Sequence, residues 1–402
     1  MQKKTISSFF EAFLNSDSVF KNKPVLFSTH TPCTILHRDE QVQALAGMLA
    51  PALKTDKPSN IFIYGKTGTG KTLSVKHVTT KMLEIAAERA IPLKIIYVNC
   101  KLKKIADTEY RLIAHMTREL GRQIPPTGLP TDEVYRLFMG AVDREPQTLI
   151  FILDEIDQLV NKVGDEILYN LTRINEDLKN TKISIVGISN DMRFADGLDP
   201  RVKSSLSEEE VLFPPYNAIQ IKNILIARSE AAFKKNALLS GVIEKISAIA
   251  AREHGDARRA IELLRVAGEI ADRETDNAVR LTHVDLAMDA IEQDRAKDIV
   301  AAQPKQYQLV LYSIFHAEQE RKKTVLTGEV YHQYRVFADR TGLRPLTQRR
   351  VSDVLAELDM LGIITARVKS KGRYGRTREI MLAIPPQSSQ RIKKMLEEGL
   401  GL

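Results

Sequence analysis

Long apolar runs are missing from this 402-residue chain. No stretch approaches the roughly 18 residues that a membrane-spanning helix needs, so no membrane partner is expected. Cysteine is scarce: Cys33 and Cys100 are the only two, too few for a disulfide framework, and a reducing, cytoplasmic setting is the expectation. The N-terminus carries lysines, but Glu11 and Asn15 break its apolar stretch and no small-residue cleavage site follows, so no signal peptide is read. Wholesale disorder is excluded by 43% hydrophobic and 27% charged residues, an ordinary globular balance. At roughly 150 residues per domain the length predicts two or three domains.

Residues 1–300 also lack any excess of charge, with 41 basic and 41 acidic side chains. The entire net +8 falls in residues 301–402, which carry 18 basic and 10 acidic side chains. A neutral body followed by a basic module suggests a polyanion partner for that module, nucleic acid foremost. A solvated surface with spare lysines is the alternative.

What is present is an alternation. Apolar runs at Ile61–Tyr64, Lys94–Cys100, Thr148–Asp157, Lys182–Asn190 and Glu209–Tyr216 are separated by helix-period sequence, which predicts a parallel sheet covered by helices. From Asn217 to about Val300 the pattern is helical without strand runs, and Pro304 marks a linker. After it come three helix-period stretches and two strand-like runs around a Gly/Arg/Lys-rich turn, the order of a winged helix. The predicted division is an α/β domain at 1–216, a helical lid at 217–300 and a winged-helix domain at 305–402.

Gly65–Thr72, GKTGTGKT, matches G-x-x-x-x-G-K-[ST] in full, after a strand and at the opening of a helix. Its glycines let the backbone N–H groups of Lys66, Thr67, Gly68, Thr69 and Gly70 turn toward phosphates, and the helix N-terminus adds partial positive charge. Lys71 reaches the β- and γ-phosphates and Thr72 holds Mg²⁺. Asp154, at the end of the apolar run LIFILD, is placed to hold the same Mg²⁺, and Glu155 to polarise an attacking water. Asn190 ends the next strand where the γ-phosphate would lie, or serves a turn. Arg201 is either a finger toward a neighbouring subunit's nucleotide or a surface arginine. Arg258 sits in a helix's first turn, where the dipole disfavours a cation. A nucleotide phosphate would compensate, and a solvated arginine pair is the alternative.

In the basic module, Val351, Val354, Leu355, Leu358 and Leu361 form one apolar helix face. Thr347, Gln348, Arg349, Arg350 and Ser352 lie at that helix's N-terminal end, the end a recognition helix puts into the major groove. Lys369, Lys371, Arg373 and Arg376 surround the hairpin turn and suit phosphate or minor-groove contacts. Four to six such neutralised phosphates would give a log–log salt slope of about −4 to −5.

In this order the phosphate loop, Asp154–Glu155, Asn190, Arg201 and Gly-Asp-Ala-Arg with Arg258 resemble the AAA+ ATPase superfamily. With the winged helix, the chain resembles archaeal replication initiators of the origin-recognition type over nearly its whole length, including LHRDEQ (Leu36–Gln41) and PPYNAIQIKNILIAR. The resemblance implies ATP/ADP with Mg²⁺ between α/β domain and lid, with adenine-side contacts from His37, Arg38 and Tyr216 and with Arg228 nearby. Tyr216 as a hinge-packing residue is the alternative. It also implies a DNA-touching helix at Lys101–Leu120, with Lys103, Lys104 and Arg111 as candidate phosphate contacts, unless that helix is an ordinary amphipathic one. The implied partners are double-stranded origin DNA, a replicative helicase and other initiator subunits. The implied activity is slow ATP hydrolysis used as a switch. A branch-migration motor and a signalling NTPase are the competing readings.

Overall fold

Alternation within the strands decides the architecture. Ile61 and Ile63 face one side of the sheet and Phe62 the other, all three buried, so helices must cover both faces. The computed structural model describes residues 17–402 apart from 28–29, 33, 103–104, 126–127, 207–208, 322–324, 371–375 and 385. At 195, 320–321, 370, 376 and 386–387 it describes the backbone only. The chain forms two compact units, residues 1–284 and 285–402.

The first unit runs α1 (Asp39–Leu49), β1 (Ile61–Tyr64), α2 (Lys71–Glu88), β2 (Leu93–Asn99), α3 (Glu109–Glu119), α4 (Thr131–Val142), β3 (Gln147–Asp154), α5 (Ile156–Val163), α6 (Glu166–Arg173), β4 (Thr181–Ser189), α7 (Pro200–Leu206) and β5 (Glu209–Leu212). The lid follows as α8 (Ala218–Ala232), α9 (Val242–Arg252) and α10 (Ala257–Arg273). The sheet order is β2-β3-β4-β1-β5, every neighbour parallel. Leu45 and Leu49 of α1 and Val75, Val78 and Met82 of α2 pack with Ile61, Ile63, Ile150 and Ile152 on one face. On the other, Phe62, Phe151 and Leu153 pack with Leu112 of α3, Phe138 of α4 and Leu168 of α6. Strand β5 stops at Leu212 although the apolar run continues, because Pro214 and Pro215 cannot donate to a ladder. Asn217 and Gln220 then cap α8 reciprocally.

The next helix, α11 (Leu281–Ala301), starts in the first unit and ends in the second. Val300 is fully buried in the second unit's core, with Ala296 and Ile299 against it. That unit continues with α12 (Lys305–Arg321), β6 (Val325–Leu326), α13 (Thr327–Thr341), α14 (Gln348–Met360), β7 (Ile364–Ser370), β8 (Arg376–Leu382) and α15 (Pro386–Leu400). Its antiparallel sheet has the order β6-β8-β7. Val351, Val354, Leu355 and Leu358 are buried as their spacing predicts, whereas Leu361 is 41% exposed because α14 has already ended at Met360. The two-residue β6 is too short to carry a sequence signal, and α15, with Ile392 and Leu396 buried at helical spacing, is not among the predicted elements. Among the described residues no helix is long and apolar enough to cross a membrane.

Candidate functional site

The loop between β1 and α2 curls because Gly68 and Gly70 take φ values of +75° and +93°, conformations that L side chains disfavour. Space is closed there as well: a Cβ on Gly68 would lie 1.7 Å from an Asp256 carboxylate oxygen. Lys71 follows, 5% exposed, and its ammonium donates to the carbonyls of Gly65 (2.6 Å) and Lys66 (2.9 Å) and to Asn190 Oδ1 (2.9 Å). Burial lowers its pKa to about 8, partly offset by Asp154.

Strands β3 and β4 end beside this loop. The Thr72 hydroxyl donates to Asp154 Oδ2 at 2.8 Å, and the Tyr97 phenol donates to the same oxygen at 2.5 Å. The Glu155 N–H donates to Asp154 Oδ1 at 3.0 Å. Burial and the Asp154 bond push the phenol of Tyr97 well above its ordinary range. Glu155 adopts φ 56°, ψ 47° as the residue before α5, and its carboxylate lies 3.6 Å from the exposed Lys101 ammonium. Asp157, also buried, accepts from Ser189 Oγ (3.1 Å) and the Asn190 N–H (3.4 Å) and so fixes the end of β4.

These groups open into a cleft of about 930 Å³, large enough for a nucleotide-sized ligand. Thr67, Gly68, Gly70, Lys71, Thr72, Asp154, Glu155, Asn190, Tyr216, Arg228 and Arg258 all line it. The lid side is closed by Ile224, Ala227, Ala231 and Ile261, and the segment before α1 adds Val25, Leu26, Ile35 and Leu36. Asp256 caps α10, accepting from the N–H groups of Arg258 (2.8 Å) and Arg259 (3.1 Å). Arg259 pairs with Glu253, so Arg258 alone of the two faces the cleft. The apolar wall at 25–36 and the bracing role of Asp157 and Tyr97 escaped the sequence reading. Only the phenol of Tyr97, set in an otherwise apolar strand run, hints at the bracing.

Other residues named from the sequence are engaged by the protein itself. Arg38 is 2% exposed. It donates to the carbonyls of Thr69 (2.9 Å) and Pro214 (2.5 Å) and stacks 3.9 Å over the Tyr216 ring. Its guanidinium thus ties the phosphate loop to the hinge and covers one face of Tyr216, which also lines the cleft. His37 pairs with Asn223 at 3.1 Å, and neither His37, Arg38, Lys66 nor Thr69 is on the cleft wall. Arg228 donates to the carbonyls of Val25 (2.9 Å) and His30 (3.4 Å), so it holds the apolar wall in place. Arg201 is exposed, chelated by Asp199 at 3.1 and 3.2 Å, and away from the cleft.

The oxygen donors of Thr72 and Asp154 suit a hard cation such as Mg²⁺. A second ligating group, Glu274, Asp276 and His283, does not suit one. His283 Nδ1 accepts the Arg280 N–H at 3.1 Å, which makes Nε2 the protonated nitrogen that donates to Glu274 and Asp276. This is a hydrogen-bonded staple.

In the second unit, Thr347 caps α14 by accepting from the Arg350 N–H. Gln348, Arg349 and Arg350 are exposed, with Arg350 loosely paired to Asp353 at 3.8 Å. Ser352 is half-buried: its hydroxyl donates to the Gln348 carbonyl and its own carbonyl accepts from Arg378. Lys369 pairs across the hairpin with Glu379 at 2.5 Å. Lys371 and Arg373 lie outside the described residues, as does the side chain of Arg376. In the first unit Lys103 and Lys104 also lie outside them, and Arg111 is paired with Asp107 at 3.5 Å.

Residues 54–193 match the AAA domain, 222–289 the Cdc6 AAA+ ATPase-type lid domain and 298–391 the CDC6 C terminal winged helix domain. The ORC1-type DNA replication protein of Pyrococcus abyssi is 51% identical over 385 residues, 95% of this chain and 91% of that relative. The ORC1-type DNA replication protein 1 of Archaeoglobus fulgidus is 47% identical over 395 residues, covering 98% and 95%. Among solved structures, the Aeropyrum pernix ORC1 protein in complex with DNA is 42% identical with a TM-score of 0.84, covering 95% of this chain and 97% of that one. The similarity to Drosophila ORC bound to DNA, 20% identical with a TM-score of 0.58, is one of fold.

Proposed function

The chain belongs to the ORC1-type DNA replication proteins of the archaea, and from that membership we propose that it is an origin-binding initiator whose DNA engagement is set by an ATP/ADP–Mg²⁺ switch. The observation that carries the reading is the convergence of Lys71, Thr72, Asp154, Glu155, Asn190 and Arg258 on one cleft. Lys71 answers the charge of the β- and γ-phosphates, and the N-terminus of α2 presents free N–H groups to them. Thr72 and Asp154 would hold Mg²⁺, which supplies charge neutralisation across the phosphates. Glu155 orients water, Asn190 marks the γ-phosphate end, and Arg258 brings the lid to the phosphates. The wall of Val25, Leu26, Ile35 and Leu36 takes the adenine, with Arg228 as its support, Arg38 acting through the loop and hinge, and His37 through Asn223 of α8.

The division of labour is ATP binding by residues 1–216, closure by the lid at 217–300, and duplex reading by 305–402. Gln348, Arg349 and Arg350 at the exposed start of α14 meet base edges and phosphates, and the wing cations of 369–376 meet the backbone. The solved relative carries DNA in its complex, and the same partner is proposed for this chain. Recruitment of a replicative helicase, and Arg201 as a finger toward a neighbouring initiator subunit, complete the proposal. Family membership favours this over a branch-migration motor or a signalling NTPase.

The test uses the full-length chain. A fluorescent ADP analogue is titrated with and without Mg²⁺, and duplex DNA is titrated at several salt concentrations. Saturable, Mg²⁺-sensitive nucleotide binding and a log–log salt slope of about −4 to −5 are expected. DNA binding with no salt dependence, or no nucleotide binding, would overturn the corresponding half.

A further inference from the structure

We propose that Tyr97 is the positioning residue for the magnesium-binding carboxylate, holding Asp154 in the orientation that Thr72 and the ion share. The inference rests on the nucleotide–Mg²⁺ reading of the cleft. Asp154 is fixed from two separate elements and by the residue that follows it. Oδ2 accepts the Thr72 hydroxyl from α2 (2.8 Å) and the Tyr97 phenol from β2 (2.5 Å), and Oδ1 accepts the N–H of Glu155 (3.0 Å).

Geometry explains why the phenol's bond matters. The Thr72 hydroxyl has one proton, and giving it to Asp154 turns its lone pairs toward the cation. That direction holds only while the carboxylate does not rotate about its own Cβ–Cγ bond. The phenol, on the same oxygen, blocks the rotation. The ring is itself held: Lys76, one helical turn beyond Thr72, places its ammonium 4.3 Å from the Tyr97 ring centroid. Tyr97 and Lys76 both line the cleft. Tyr97 interrupts an apolar strand, KIIYVN, where phenylalanine would fill the same volume, so the hydroxyl serves the carboxylate.

Outer hydrogen-bond partners of metal ligands typically contribute tenfold or more to metal affinity. In the full-length chain, Tyr97→Phe is expected to leave binding of a fluorescent ADP analogue in EDTA within about twofold of the parent. The Mg²⁺ concentration for half-maximal tightening should rise about tenfold. Mn²⁺ titration followed by electron paramagnetic resonance reads the ion directly and should weaken in parallel. Lys76→Met, which frees the ring without touching the phenol, should give a smaller shift in the same direction. Superimposable Mg²⁺ curves for Tyr97→Phe and the parent overturn the proposal. If the parent itself binds nucleotide without any response to Mg²⁺, the reading beneath it has failed and the proposal falls with it.

Discussion

The Lys71 ammonium donates to the Asn190 side-chain oxygen at 2.9 Å, which joins the phosphate loop to the end of β4. Two residues 119 positions apart in sequence thereby share one cation, and both face the cleft. A triphosphate entering the loop competes with Asn190 and with the carbonyls of Gly65 and Lys66 for that cation. Removing it should be severe: Lys71→Ala is expected to abolish ATP turnover and to weaken ADP binding at least tenfold. Turnover at the parental rate, measured by phosphate release, would refute the site.

Protonation of Lys71 gives nucleotide binding a pH signature. Burial holds its pKa near 8 in the free protein, and phosphate oxygens would raise it on binding. Around pH 7 the lysine is already charged and the nucleotide's terminal phosphate, with a second pKa of about 6, is mostly ionised, so affinity changes little there. Above pH 8 binding must recruit a proton, so affinity falls by up to tenfold per pH unit. Calorimetry in buffers of different ionisation enthalpy should detect proton uptake at pH 8.5 and little at pH 7.

Gly68→Ala tests the docking of the lid on the phosphate loop. The added Cβ would meet the Asp256 carboxylate, and φ of +75° disfavours it independently. Overpacking of this kind costs about 1–3 kcal/mol. The expected result is a lower melting temperature together with weakened nucleotide binding, because Arg258 moves with Asp256.

Under the proposed function, Arg349, exposed in the first turn of α14, is a base-reading cation. Arg349→Ala should cost about 1–3 kcal/mol on a preferred duplex and relax preference at one base pair. An equal loss on every duplex would reassign it to a phosphate contact.

Much of this was legible in the sequence because periodicity and spacing are local. Five apolar runs gave five parallel strands to within a few residues, and GKTGTGKT placed Lys71 and Thr72 at the opening of α2. Boundaries were less legible. Helix α11 reads as uniformly helical, and nothing local records that Val300 is buried in the second unit. Partnerships across the fold were not legible either. Arg38 looks from its motif like a nucleotide contact, but its guanidinium is engaged by Thr69, Pro214 and Tyr216. Tyr97 and Asp157 gain their roles only when β2, β3 and β4 lie side by side.

Glu155 occupies a left-handed backbone conformation that costs a non-glycine residue about 1–2 kcal/mol. Selection for heat resistance alone would install glycine or asparagine at that position. A library screened only for survival at high temperature should therefore enrich Glu155→Gly, and under the proposed nucleotide switch those sturdier proteins would lack the carboxylate assigned to orient water.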